Sequence, residues 1–474
     1  MRRPSDIPRL ATVTIPAPDL RPERFLARAA GASRGFWVRG DRWVAHTGVA
    51  ADVRVDRVCR AADRFAEVAG EARRLAANPV LAPGATRAPR IRFYGGFSFE
   101  EGHEAHGTWS GFPSARFIVP ELELEGDGSG DAWLRARARV EAEGDEAALR
   151  RLRHLAEATR AELAALGEPS DGAPSEVPGH ASSGPRTHWE DAVRTCLEAI
   201  RAGRVSKAVL ARTLSVELDR PLDPADVVMQ LWHANHGSHV FLFEPEPGAA
   251  LVGAAPETVA TLRDGVFHAT AVAGSIRRGS GPREQAELAA ELLASDKDRE
   301  EQRIALDDMV ARLGTVAHQV RSDPQPHVLT LSRIQHLETE IRASVPVGVG
   351  VLDLLRILHP TPAVCGLPRD AALAVLATGE PFERGWYSGP VGWFDPEGNG
   401  VFAPALRTGV GRGDQWELFA GAGIVEGSSP RSEWEETGIK FQPMLEALEA
   451  GGVRLVERAS AGRTGEAPAD PERP

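Results

Sequence analysis

Short segments with the two-residue hydrophobic period of β-strands recur along this chain and limit the folds open to it. Before about residue 124 such segments dominate, and FWVRGDRWVAH predicts a hairpin that turns at Gly40-Asp41. IRFYGGFSFE predicts a second pair of strands with its glycines at a bend. Residues 144–165 instead show a helical pattern rich in Ala, Leu, Arg and Glu. Strands and helices are therefore both expected, and no internal repeat is present.

A connection rich in Pro, Gly and Ser separates two parts of the chain. The stretch GEPSDGAPSEVPGHASSGP covers residues 167–185, and we predict a flexible surface linker over 167–187. The part before it, 1–166, is expected to combine strands with a helix, and the part after it, 188–458, alternates strands and helices. The final segment, 459–474, offers no apolar surface to bury, so we predict a disordered tail.

Charge and cysteine usage exclude several classes of protein. The net charge is −12 and no long basic stripe occurs, so we expect no nucleic-acid partner. Only three cysteines are present, none in a CxxC pair, which fits a reducing cytoplasm. The N-terminal MRRPSDIPRLATVTI lacks a signal-peptide apolar run, and no segment approaches the ~20 apolar residues of a membrane span. We therefore expect a cytoplasmic protein without a membrane partner.

Three glutamates crowd into four positions of the stretch RSEWEETGIK, and a lysine ends it. Ser429-Pro430 predicts that a helix begins just before, with serine as N-cap and proline in the first turn. Acids in a first turn suit the positive end of the helix dipole, so the glutamates could serve only as caps. Glu433, Glu436 and Lys440 also share one helical face and could hold a hard cation and an anionic ligand together. The residues alone leave both interpretations open.

Lys207 lies on a predicted strand, VSKAVLART, and shares an apolar face with Val209 and Ala211. It is either a charge on an edge strand or a buried amine, and a buried amine is a usable general base. Glu257 directly follows a proline in GAAPETVATL, where a strand or turn begins. A turn carboxylate and a catalytic carboxyl fit that position equally well.

Three further segments carry residues whose roles the local sequence leaves open. In TAVAGSIRRG, Gly274 and Ser275 could bring the backbone close to a ligand, although a tight turn explains them as well. Glu301 lies inside a charged helix that begins at Ser295 or one residue later, and Arg407 lies on a predicted strand. The nearby GAGIVEG is not a dinucleotide fingerprint, because its third glycine is misplaced.

In their order and wording these motifs resemble the chorismate-utilising enzymes, which include isochorismate synthase, salicylate synthase, anthranilate synthase component I and aminodeoxychorismate synthase component I. The resemblance covers about residues 190–447 and includes HLETEI, LHPTPAVCGLPRDAA, RGWYSGPVGWFDPEGNG and FAGAGIVEGSSPRSEWEETGIK. The N-terminal FYGGFSFEE and WSGFPSARFIVPELEL resemble the isochorismate synthase branch, of the menaquinone or siderophore type. The resemblance as a whole implies an α+β fold in which two sheets, layered with helices, surround a central active-site cleft. The linker predicted over 167–187 would then be a surface loop within one catalytic unit rather than a boundary between domains.

Matched residue by residue, the resemblance implies a complete site. Lys207 would be the base that activates water, and Glu257 the acid that protonates the leaving oxygen, for which burial or a neighbouring charge must raise its pKa. The implied Mg²⁺ ligands are Glu301 and Glu436, with Glu433 bound directly or through water. The implied substrate-binding residues are Gly274, Ser275, His336, Arg407, Gly421 and Lys440.

The residues at two positions separate the family's activities. Family anthranilate synthases carry glutamine where Lys207 stands, and aminodeoxychorismate synthases carry a nucleophilic lysine where Ala273 stands. The resemblance therefore implies an Mg²⁺-dependent isochorismate synthase, which adds water at C2 of chorismate while the C4 hydroxyl leaves. It implies no glutaminase partner, and we expect a monomer or weak homodimer. A salicylate synthase, which goes on to eliminate pyruvate, stays open as the alternative, and a non-catalytic chorismate-binding paralogue is less supported.

Overall fold

The computed structural model describes residues 9–56, 63–82, 91–141, 144–166 and 177–457, and in them ten α-helices and 24 strands. The helices are α1 (Pro22–Arg28), α2 (Arg64–Leu75), α3 (Asp145–Ala165), α4 (Arg186–Arg201), α5 (Pro224–Ala234), α6 (Pro282–Ala294), α7 (Asp296–Leu313), α8 (Val351–Leu358), α9 (Arg369–Gly379) and α10 (Pro430–Ala450). None of these helices is long and apolar enough to cross a membrane.

The strands up to the middle of the chain are β1 (Leu10–Pro16), β2 (Arg34–Arg39), β3 (Arg42–Thr47), β4 (Ala51–Val55), β5 (Val80–Leu81), β6 (Phe93–Phe97), β7 (Ala115–Val119), β8 (Leu122–Gly126), β9 (Ala132–Arg139), β10 (Val177–Ser183), β11 (Lys207–Leu218) and β12 (His239–Glu246). The remaining strands are β13 (Ala249–Ala255), β14 (Ala260–Arg263), β15 (Val266–Arg277), β16 (His318–Ser322), β17 (His327–Thr330), β18 (Ile334–Ser344), β19 (Gly366–Leu367), β20 (Pro390–Phe394), β21 (Gly400–Pro404), β22 (Thr408–Arg412), β23 (Gln415–Ile424) and β24 (Val453–Glu457).

Two sheets organise the fold, a large mixed sheet and a small antiparallel one. The large sheet has 14 strands in the order β24-β10-β11-β23-β22-β13-β12-β2-β3-β8-β9-β1-β5, with β19 paired to β11. The small sheet has ten strands in the order β16-β18-β15-β14-β21-β20-β6-β7-β4, with β17 paired to β18. Strands from before and after residue 167 lie in both sheets, since β2 pairs with β12 and β6 pairs with β20. The predicted α+β fold with two helix-covered sheets is confirmed.

Apart from a cluster that packs α4 and α9 against β11, buried side chains form three apolar layers. One apolar cluster lies between the large sheet and helices α1, α3, α5 and α10, and another lies between the small sheet and α2, α7 and α8. A third, rich in aromatic rings, joins the two sheets and includes Trp37, Phe241, Tyr387 and Phe419. The rings of Tyr387 and Phe419 stack with centroids 5.2 Å apart, an arrangement worth about 0.5–1.5 kcal/mol beyond the burial of their surface. This aromatic layer holds the sheets face to face beside the cleft described below.

Local predictions succeeded in some segments and failed in others. The hairpin at Gly40-Asp41 and the helix over 144–165 are confirmed as β2–β3 and α3. The strand pair expected in IRFYGGFSFE is wrong, because β6 is a single strand between β7 and β20. A Cβ on Gly95 would come 1.9 Å from the Arg116 carbonyl oxygen, so the glycine permits close packing rather than a bend.

The flexible linker predicted over 167–187 is wrong for 177–183, which form β10 between β11 and β24. Gly179 is needed there, since a Cβ would come 2.8 Å from Val453 Cγ1. The proline and glycine of this segment are typical of loops, so the sequence did not predict a strand, although its backbone is paired on both sides. The first part of that linker and the tail predicted at 459–474 lie outside the described residues.

Candidate active site

A cleft lies between the two sheets, where β11 and β23 of the large sheet approach β15 and β18 of the small one. It contains about 660 Å³ of space between protein atoms, part of which is open to solvent. Ten of the eleven predicted site residues line it: Lys207, Glu257, Gly274, Ser275, Glu301, His336, Arg407, Gly421, Glu436 and Lys440. The eleventh, Glu433, lies on α10 one turn before Glu436 and is buried.

Lys207 is a buried amine and not a charge on an edge strand. It begins β11, which pairs with β23 on one side and with β19 on the other, and only 1% of its surface is exposed. Its Nζ lies 2.9 Å from Oε1 of Glu301 on α7. The sequence makes room for this contact with Gly423, where a Cβ would come 2.2 Å from Glu301 Oε1 and 3.1 Å from Lys207 Cε.

Glu257 lies on the link from β13 to β14 and is almost completely buried. Burial raises the pKa of its carboxyl to about 8, and the nearby Glu338 adds to the rise. The cations Lys207, Arg407 and Lys440 offset only part of the desolvation penalty. The side chain is therefore mostly protonated at neutral pH, so it can donate a proton.

Arg407 and His336 form a hydrogen-bonded pair on the cleft wall. Nη2 of Arg407 lies 2.9 Å from Nε2 of His336. A guanidinium can only donate, so Nε2 accepts and the imidazole proton sits on Nδ1, 3.0 Å from the Gly274 carbonyl oxygen. Burial, with the charges of Arg407 and Lys440, holds the pKa of His336 well below its usual value, and the ring is neutral. Burial lowers the pKa of Arg407 only to about 10, so it keeps its charge.

Gly274 and Ser275 form a bulge in β15 and not a tight turn. The pairing register with β18 shifts between Ala273 and Ser275, and Gly274 adopts a φ of +73°. A Cβ there would come 2.8 Å from Cβ of Asp298, so both the conformation and the space favour glycine. The bulge turns the Gly274 carbonyl towards His336 and places the Ser275 hydroxyl 3.1 Å from the same ring.

Helix α10 begins as predicted, with Ser429 as N-cap: its Oγ accepts a hydrogen bond from the Ser432 N–H at 3.2 Å. Glu436 and Lys440 line the cleft, and Glu436 Oε1 lies 2.6 Å from Lys440 Nζ. Lys440 also donates to the Gly421 carbonyl at 2.9 Å. Glu435, by contrast, points away from the cleft. The helix-start interpretation and the shared-face interpretation therefore both describe this segment.

Each of the three predicted metal ligands is paired with a lysine. Glu301 contacts Lys207, Glu436 contacts Lys440, and Glu433 lies 3.3 Å from Lys297 Nζ. Burial alone would raise the pKa of Glu301, but the Lys207 ammonium holds that pKa below its usual value. Burial and the charge of Glu436 raise the pKa of Glu433.

The arrangement of these glutamates bears on the predicted Mg²⁺ site. Among the residues that the structure describes, no three His, Cys, Asp or Glu side chains converge closely enough to chelate an ion. The chemistry of the set nevertheless suits Mg²⁺, which prefers a few carboxylate oxygens together with waters. The repulsion that raises the pKa of Glu433 beside Glu436 is what a bound cation would relieve.

Sequence reasoning missed several residues on the cleft wall. Tyr387 and Ser388 belong to the quoted motif RGWYSGPVG, but no local pattern marked them as cleft residues. Ser388 adopts a φ of +62°, which sequence does not reveal for a non-glycine residue. The sequence also does not single out Gly423, because its role depends on Glu301, which is distant in the chain.

Comparisons with known proteins find a matching family, similar sequences and a similar fold. The family described as chorismate binding enzyme matches residues 3–449. The salicylate biosynthesis isochorismate synthase of Pseudomonas aeruginosa is 35% identical over 368 residues, which cover 77% of this chain and 75% of that protein. Isochorismate synthase MenF of Bacillus subtilis is 34% identical over 361 residues, 76% of this chain and 75% of that protein. The solved structure of MenF, the menaquinone-specific isochorismate synthase from Escherichia coli, has the same fold, with a TM-score of 0.76, 24% identity and coverage of 94% and 96%.

Proposed function

This chain belongs to the family of chorismate binding enzymes, and from that premise we propose that it is an isochorismate synthase, which converts chorismate to isochorismate. Water adds at C2 of the ring while the C4 hydroxyl leaves, so the site needs a base and an acid. The observation that supports this most directly is that Lys207 and Glu257 line the same cleft as a buried amine and a buried neutral carboxyl.

Lys207 is the proposed base for the attacking water. In this structure its Nζ lies 2.9 Å from Oε1 of Glu301. For Lys207 to take a proton from water, this contact must loosen in the complex with substrate, so that the amine faces the water. Its place in the cleft wall at the start of β11, with only 1% of its surface exposed, supports the base role.

Glu257 is the proposed acid for the departing C4 oxygen. Its pKa of about 8 keeps the proton in place at neutral pH, where an ordinary glutamate would already be ionised. Transfer of this proton leaves a carboxylate, and the cations Lys207, Arg407 and Lys440 stabilise that charge.

Two cationic side chains are proposed to bind the carboxylates of chorismate. Arg407 uses one amino group for His336, which leaves the rest of its guanidinium for a bidentate contact with a carboxylate. Lys440 is held by the Gly421 carbonyl and by Glu436. Gly274, Ser275 and His336 line the same cleft.

Glu301 and Glu436, with Glu433 beside them, are the residues that would hold Mg²⁺, and the ion would supply positive charge for a substrate carboxylate. The donor chemistry and the repulsion between Glu433 and Glu436 support this assignment. Water is the nucleophile, so no glutaminase partner is required.

The experiment that tests the function is product analysis of the purified protein with chorismate and Mg²⁺ and no downstream enzyme. The reaction exchanges one allylic hydroxyl for another, so we expect chromatography to show a mixture of isochorismate and chorismate. Lys207→Ala and Glu257→Gln serve as controls and should give neither product nor loss of chorismate. Stoichiometric salicylate and pyruvate from the earliest times would instead identify a salicylate synthase.

A further inference from the structure

Glu257, the proposed acid, lies on a segment that connects the two sheets. Residues 256–259 connect β13, in the large sheet, to β14, in the small sheet. Glu257 is therefore outside any regular strand, and no ladder of hydrogen bonds fixes its backbone. Its position depends on whatever holds this short link.

The side chain of Thr258, the next residue, is bonded to the large sheet. Arg39, at the end of β2, donates from Nη1 to the Thr258 hydroxyl at 2.7 Å. Nε2 of His239, at the start of β12, lies 2.9 Å from the same oxygen. One hydroxyl can serve both partners, because it has two acceptor lone pairs and one proton. Thr258 and His239 are both completely buried, whereas the bond from Arg39 is only partly buried.

The backbone of Thr258 is bonded to the small sheet. Its N–H donates to Oγ1 of Thr270 on β15 at 3.0 Å, and its carbonyl accepts from the Thr270 N–H at 2.9 Å. The following residue, Val259, donates from its N–H to the Phe402 carbonyl on β21 at 3.0 Å. Thr258 is thus hydrogen-bonded to both sheets at once, directly beside the acid.

We propose that Thr258 is a positioning residue that fixes Glu257 at the depth and angle from which its carboxyl reaches the leaving oxygen. The inference rests on the proposed function for the role of Glu257. Valine has nearly the same shape as threonine but cannot bond Arg39 or His239, so the link is held from one sheet only. Serine keeps the hydroxyl and loses only a methyl group.

The test compares Thr258→Val with Thr258→Ser in the full-length protein. We expect kcat of the valine variant to fall about 10–100-fold, since an error of about 1 Å at a reacting group has effects of that size. KM and the stoichiometry of bound chorismate should be unchanged, and the solvent deuterium isotope effect on kcat should rise as proton transfer becomes slower. The serine variant should recover most of the activity.

A matched control is Thr159→Val on α3, because Thr159 is equally buried and its hydroxyl has no partner among the described residues. This control should keep wild-type kcat. The inference is overturned if Thr258→Val turns over normally, if the serine variant is equally slow, or if kcat falls only in step with the fraction of protein that binds chorismate.

The outcome separates this inference from the proposed function. If the wild-type protein makes isochorismate but Thr258→Val is normal, only the inference about Thr258 fails. If the wild-type protein converts chorismate to another product, the proposed function fails, and the two variants are then compared on that reaction.

Discussion

Glu257→Gln is expected to inactivate the protein and, at alkaline pH, to stabilise it. The substitution keeps the shape of the side chain but removes the proton that the acid delivers. Loss of a general acid typically costs 10²–10⁴-fold in rate, so we expect kcat to fall by about that factor. The effect on stability follows from the burial of the carboxyl.

The size of the stability effect comes from the pKa of Glu257. Folding raises this pKa from its ordinary 4.5 to about 8, because the ionised form loses its hydration in the cleft. Between these two pH values the folded state binds more protons than the unfolded state, so stability falls as pH rises. At about 1.4 kcal/mol per pKa unit, the whole interval corresponds to about 5 kcal/mol, an upper bound if the cleft opens to water. The neutral amide of glutamine avoids this loss.

Urea unfolding of the wild-type protein and of Glu257→Gln, at intervals from pH 5 to pH 9, measures the difference. The free energy of unfolding of the variant minus that of the wild type should increase as pH rises, and this difference should level off above about pH 8. Thr159→Val, a buried change without a titrating group, should give a curve parallel to that of the wild type. Parallel curves for Glu257→Gln would refute the claim that this carboxyl is protonated at neutral pH.

Three further substitutions test the rest of the site. Lys207→Ala should abolish turnover while chorismate still binds in equilibrium dialysis, and near-normal turnover would exclude Lys207 as the base. Glu436→Gln should raise the Mg²⁺ concentration needed for half-maximal activity by at least about tenfold, as expected for a lost ligand or its supporting partner. The matched control Glu435→Gln, which is exposed on the same helix, should leave that concentration unchanged. Full activity after exhaustive chelation would contradict the proposed metal site. Gly423→Ala should cut kcat sharply with the fold retained in circular dichroism, because its Cβ would come 2.2 Å from Glu301 Oε1, and an unaffected rate would show that Glu301 need not stay in place.

Local structure could be predicted from the sequence wherever it depends on residues within one short segment. The N-cap at Ser429, the shared face of α10 and the hairpin at Gly40-Asp41 depend only on neighbouring residues, and each is present. Strand β10 could not be predicted, because its proline and glycine are typical of a loop. It forms a strand because it pairs with residues 207–218 and 453–457. The arrangement of two sheets followed from the family resemblance, since periodicity cannot specify which strands pair.

The contacts that define the cleft are long-range, and here sequence reasoning reached its limit. Lys207 and Glu301 are 94 positions apart by their numbers, and each alone had an ordinary explanation as a strand or helix charge. Glu433 and Lys297 are likewise far apart in the chain. The resemblance selected Lys207, Glu301 and Glu433, but only the structure shows that each glutamate is paired with a lysine.

The balance of charge in the cleft connects the raised pKa of Glu257 with the proposed cation. The charged or ionisable acidic and basic side chains on the wall, apart from His336 and Tyr387, are Lys207, Arg407, Lys440, Glu257, Glu301 and Glu436. With Glu257 neutral, the formal charges sum to one positive charge, whereas ionisation of Glu257 would bring them to zero. Chorismate carries two carboxylates, so the neutral acid favours its binding, but the occupied cleft would still be left with one negative charge in a poorly hydrated space. A divalent cation held by Glu301 and Glu436 would supply the two positive charges that reverse that sign. Lys207 and Lys440, which now contact these glutamates, would then be available to the substrate. The pairing of glutamates with lysines is therefore the observation that connects the proposed metal with substrate binding.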